Sequence, residues 1–99
     1  MCIFKFLKKL KNQHLETQIS EEQAYLDSLE QDLKQCIDSA NNLKLSIEKI
    51  ETDIAFDCSD SDYNSLKRDH ALKLGKAALI RSNIRYSLNR ISKMRSRIS

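Results

Sequence analysis

The sequence predicts an all-α protein: an antiparallel two-helix coiled-coil hairpin, led by a short N-terminal amphipathic helix and completed by oligomerisation or a partner. Three observations carry this expectation. The 99 residues include a single glycine, Gly75, no proline and no valine. Turns must therefore be few and elements long, and strand formers are scarce. Apolar residues recur at alternating steps of three and four through most of the chain, the period of a helix seam. Charge lies in blocks of alternating sign, which suits segments that face each other or an external partner.

Residues 1–14 form a basic amphipathic lead segment. Its lysines, Lys5, Lys8, Lys9 and Lys11, come with no acid. On a helical wheel at about 100° per residue, Ile3, Phe4, Phe6, Leu7 and Leu10 are expected on one side, and the four lysines, Lys5, Lys8, Lys9 and Lys11, on the other. This apolar face is rotated by roughly 130° from the seam that follows. Extending that seam backwards meets Asn12, Lys8 and Lys5, all polar. Either the helix breaks near Asn12–His14, or the segment uses a face of its own. Both leave its apolar side in need of a separate dock.

Residues 15–99 read as the hairpin. The first helix is expected over 15–56, with a seam of Leu15, Ile19, Glu22, Leu26, Leu29, Leu33, Cys36, Ala40, Leu43, Ile47, Ile50 and Ile54. Glu22 alone interrupts its apolar character. The block 15–62 holds thirteen acids against three lysines. The run AFDCSDSD, residues 55–62, supplies the turn, placed at 57–61. Its short polar side chains compete with the backbone for hydrogen bonds and favour turns and caps. Ser59 and Asp62 are spaced like a capping box, and Asp60 and Asp62 suit the positive start of a helix.

The second helix is expected over 62–98, with a seam of Tyr63, Leu66, His70, Lys73, Ala77, Ile80, Ile84, Ser87, Ile91, Met94 and Ile98. Lys73 and Ser87 are polar gaps, which Leu74 and Leu88, one step on, are expected to fill. Residues 63–99 carry ten Lys and Arg against Asp69. Folding the two seams together about the turn pairs Ile54 with Tyr63, Ile47 with His70, Leu43 with Leu74, Ala40 with Ala77, Leu29 with Leu88, and Glu22 with Arg95. Each helix then buries one stripe, a small core for this length. A second apolar line on the second helix, Leu72, Leu79 and Tyr86, spaced by seven and flanked by Gly75, offers an interface for a further helix. A homodimer closing a four-helix bundle is its simplest occupant.

The residues exclude most site chemistry. One glycine cannot build either glycine-rich phosphate cradle. His14 and His70 are far apart, and no Cys/His set has zinc spacing. DCSDSD lacks the glycine and the distal glutamate of a calcium loop. Carboxylates on an exposed helix face have no apolar pocket to separate their ionisation. The chain is therefore expected not to be an enzyme and to use no cofactor or metal. Cys2, Cys36 and Cys58 are odd in number and lack CxxC spacing, which suits a reducing, intracellular compartment. Residues 1–11 are too short and too basic to span a bilayer and lack the features of a signal peptide.

Three functions remain. The first is a helical interaction or adaptor module that binds a protein partner or itself through apolar faces. The second is peripheral association with an anionic membrane, with Ile3, Phe4, Phe6, Leu7 and Leu10 inserting and Lys5, Lys8 and Lys9 meeting headgroups. The third is nucleic-acid binding, with Arg81, Arg85, Arg90, Lys93, Arg95 and Arg97 on phosphates and Tyr86 for stacking. Against the third stands pairing of that basic run with the acids of the first helix, Glu16, Glu21, Glu22, Asp27, Glu30 and Asp32.

Overall fold

A computed structural model describes residues 2–98, with the backbone alone for Cys2. The described chain is all-α. Helix α1 runs Cys2–Glu51 and helix α2 runs Ser61–Ser96. In each of two compact units a stretch of α1 packs on a stretch of α2, so the topology is a helical hairpin. One unit combines residues 1–30 with 82–99; the other is 31–81.

Seam residues form the core of both units. In the 31–81 unit Cys36, Ala40 and Ile47 of α1 are buried, as are Tyr63, Ala77 and Ile80 of α2. Leu33, Leu43, Ile50, Leu66, His70 and Lys73 are half-buried around them. The Cys36 thiol donates to the Lys73 carbonyl at 3.1 Å. A sulfur reaching the backbone of the facing helix requires a close approach, and the small side chains of Cys36, Ala40 and Ala77 leave room for it. In the other unit Leu15, Leu26, Leu29 and Ile91 are buried, with Ser87 fully enclosed. Ile19, Glu22, Ile84 and Met94 are half-buried.

The connection differs from the expected one. Helix α1 stops at Glu51, so residues 52–56 are not helical and the non-helical stretch is 52–60. Local side-chain bonds account for this. The Thr52 hydroxyl donates to the Lys49 carbonyl at 2.9 Å, and Asp53 Oδ1 accepts the Ala55 amide at 3.0 Å. These bonds satisfy backbone groups that a continuing helix would have used. Ile54 is consequently fully exposed and leaves the seam. Phe56 instead meets the Tyr63 ring edge-on at 4.8 Å. The N-cap of α2 is Asp60, whose Oδ1 accepts the Tyr63 amide at 3.0 Å. Ser59, expected in a capping box, donates through both its amide and its hydroxyl to Asp57 Oδ1. At the far end α2 closes with tight turns from Arg97 to Met94 and from Ile98 to Arg95.

The register also differs, by about one heptad. Glu22 meets Ser87 and Arg90, not Arg95. Tyr63 meets Glu51, not Ile54, through a hydrogen bond of 2.8 Å. Leu74 and Leu88 fill no gap; both are exposed. The reason lies in the repeat itself. A slip of seven residues keeps every seam position on the seam, so apolar periodicity does not select the register. Polar partners do: Glu22, the interruption of the α1 seam, accepts from Ser87, one of the two interruptions of the α2 seam.

Candidate functional surfaces

The lead segment is helical and continuous with α1, with no break at Asn12–His14. Continuity settles the direction of its apolar face. The rotation from the seam is preserved, and Ile3, Phe4, Phe6, Leu7 and Leu10 are all exposed, from 76% at Phe4 to 45% at Leu10. Lys5, Lys8 and Lys9 are exposed as well. Among the described side chains of α1, Leu15 is the first that is buried. No helix among the described residues is long and apolar enough to cross a membrane.

The basic run divides between the units. Arg81 belongs to the 31–81 unit and the rest to the other. Arg90 is engaged: its guanidinium pairs with Glu22 at 2.8 Å and lies over the Tyr86 ring, 5.3 Å from the centroid. Tyr86 is thereby partly covered by a cation, although the residue stays exposed. Among the described residues Glu22–Arg90 is the one ion pair, so the acidic stretch does not neutralise the basic run pair by pair. Lys93 and Arg97 line a groove with Gln18, Glu21 and Glu22.

In the 31–81 unit Leu72 and Leu79 are 66% and 62% exposed on the outer side of α2. A helical projection at about 100° per residue places Ala71, Gly75 and Ala78 beside them, and all three are exposed. The strip they form bears no charge. Ala71 and Ala78 escape a search for large apolar residues; the signal that finds them is the absence of charge along one helix face. Beyond its chain neighbours and the surrounding backbone of α2, no atom lies within 4 Å of where a Cβ would stand at Gly75. Leu72 also borders a groove lined on the α1 side by Ser39, Asn42, Leu43 and Ser46.

Two ionisable groups are shifted near the connection. Tyr63 is held above the ordinary tyrosine range, first by the bond its hydroxyl donates to Glu51, then by burial and the Glu51 charge, with Lys67 opposing. Asp57 is held below the ordinary carboxylate range by the Ser59 amide and hydroxyl. Both shifts come from hydrogen bonds made at or beside the connection between α1 and α2. No group of three or more His, Cys, Asp or Glu among the described residues could hold a metal. The chain matches no protein-family model, no curated protein and no solved structure.

Proposed function

We propose that the chain is a non-enzymatic interaction module, an antiparallel coiled-coil hairpin that buries its remaining apolar face against a protein. In the simplest case that protein is a second copy of the chain. The observation that carries this reading is the uncharged outer strip of α2 around Leu72 and Leu79. A glycine inside a helix costs about 1 kcal/mol relative to alanine. Gly75 incurs that cost with open space in front of it, so packing within the chain gives no reason for it. A helix crossing there would supply one, because a missing side chain lets two backbones approach. Two hairpins joined by this face make a four-helix bundle with a two-fold axis, in which each copy offers the same strip. Tyr86, expected on the same line, belongs to the other unit.

Sedimentation equilibrium over a range of concentrations tests the proposal. The expected result is a dimer that Leu72→Lys with Leu79→Lys converts to monomer. Helicity by circular dichroism should not change, since both side chains are exposed. A wild-type chain still monomeric at about 100 μM, a concentration at which a weak specific dimer is populated, overturns the second copy as the occupant.

A further inference from the structure

The lead segment and the C-terminal turn of α2 belong to the same compact unit, although they lie at opposite ends of the sequence. Together they carry five exposed apolar side chains and the cations Lys11, Lys93 and Arg97. Helix α1 is unbroken from Cys2, so residues along it can be projected on one wheel at about 100° per residue. Gln18 and Glu21 then fall on the side of α1 that carries Ile3, Leu7 and Leu10. Lys93 and Arg97 line the groove with Gln18 and Glu21. The α2 cations therefore flank the same side as the apolar face. Lys11, expected with the other lysines, projects between Leu7 and Phe4 instead, and Lys5, Lys8 and Lys9 lie behind the face. Of the acids in this unit, Glu21 alone projects to that side close to the segment, and Glu22 is engaged with Ser87 and Arg90.

From this geometry we infer that the end of the 1–30/82–99 unit docks on an anionic phospholipid surface. Ile3, Phe4, Leu7 and Leu10 enter the headgroup boundary, and Lys93 and Arg97 join Lys11 on lipid phosphates and carboxylates. Charge selects this occupant over a second copy, because pairing two lead segments would bring together eight lysines with no acid in residues 1–14. Length selects lying on the surface over crossing it. Ten helical residues rise about 15 Å, half of a hydrocarbon core. The apolar face ends where a docked helix would have to lift away: after Leu10 its azimuth is continued by His14, Gln18 and Glu21, all polar. Lys93 and Arg97 are thus assigned to lipid rather than to nucleic acid.

The test uses the full chain and vesicles of phosphatidylcholine, with or without about one third phosphatidylserine. Co-sedimentation should be strong with the anionic vesicles, weak with the neutral ones, and should fall as salt rises. Phe4→Ser with Leu7→Ser should lower anionic-vesicle binding by roughly tenfold or more, and Lys93→Gln with Arg97→Gln by roughly tenfold. All four side chains lie outside the buried core, so helicity should persist. The chain has no tryptophan, and Leu7→Trp gives a direct reading of insertion: its emission should shift to the blue only with anionic vesicles. Equal binding to both vesicle types, unchanged binding by Phe4→Ser/Leu7→Ser, or an unshifted Leu7→Trp emission overturns the inference. So does retention of vesicle binding by Lys93→Gln/Arg97→Gln when the same variant loses binding to a single-stranded oligonucleotide.

Discussion

Glu22 stands on an otherwise apolar stripe, where a carboxylate is costly unless donors meet it. Two do, the Ser87 hydroxyl and the Arg90 guanidinium, each at 2.8 Å. Removing Glu22 alone leaves the fully enclosed Ser87 hydroxyl without its acceptor. Glu22→Ala should therefore lower stability by about 1–3 kcal/mol, read from the urea midpoint. Removing both polar partners is different. Glu22→Leu with Ser87→Ala should recover or exceed wild-type stability, because an apolar pair needs no partner. It should also release the slipped register, visible as a second distance population between spin labels at residues 18 and 93 in a cysteine-free background. A single population would show that another contact sets the register. Tyr63 makes the other defining side-chain bond. Its ionisation is raised by the bond to Glu51, so the folded value lies above the unfolded one. The stability it contributes is complete below the ordinary tyrosine range and is lost as pH rises through the raised value. With Tyr25→Phe and Tyr86→Phe to isolate it, phenolate absorbance should appear later than for free tyrosine, and Glu51→Gln should bring it earlier. Titration at the ordinary value in the wild-type background would remove this bond from the account.

Among the elements, the connection is where local chemistry competed most closely. Residues 52–60 hold Thr52, Asp53, Asp57, Ser59 and Asp60, all able to take over backbone bonds. Composition marked this run as a turn but placed its start too late, because Ile54 continues the apolar spacing and extended the helix on paper. Thr52 and Asp53 ended it in fact. Asp60 then starts α2 by accepting the Tyr63 amide, and Asp62 lies in the first turn near the positive helix end. Asp60→Ala should cost about 1 kcal/mol and speed amide exchange at Ser61–Tyr63, with exchange elsewhere in α2 little changed. Uniform exchange in wild type and variant would show that Asp60 is not the cap. Asp57, held low by Ser59, favours the same turn above the ordinary carboxylate range. Its contribution fades as pH falls through the depressed value.

At the scale of the whole molecule, the two proposed contacts use different residues and should separate. Leu72→Lys/Leu79→Lys, made monomeric, should still bind anionic vesicles. Phe4→Ser/Leu7→Ser, unable to dock, should still dimerise. Most of what both proposals need was legible in the chain. The apolar steps of three and four named the seam residue by residue, and burial follows them from Leu15 to Ile50 and from Tyr63 to Ile98. Ile3, Phe4, Phe6, Leu7 and Leu10 stood off that seam on the wheel, as they do in space. These features depend on helix period alone, which sequence spacing carries in full. Register, helix continuity through Asn12–His14 and the neighbours of the α2 cations depend on which distant side chains meet. A heptad pattern is degenerate under a slip of seven, so it could not distinguish Arg95 from Ser87 and Arg90 as partners of Glu22. Nor could it show that Lys93 and Arg97 flank the apolar side of α1. Only the tertiary structure decided these, because polar side chains in a seam are satisfied by contact and not by period.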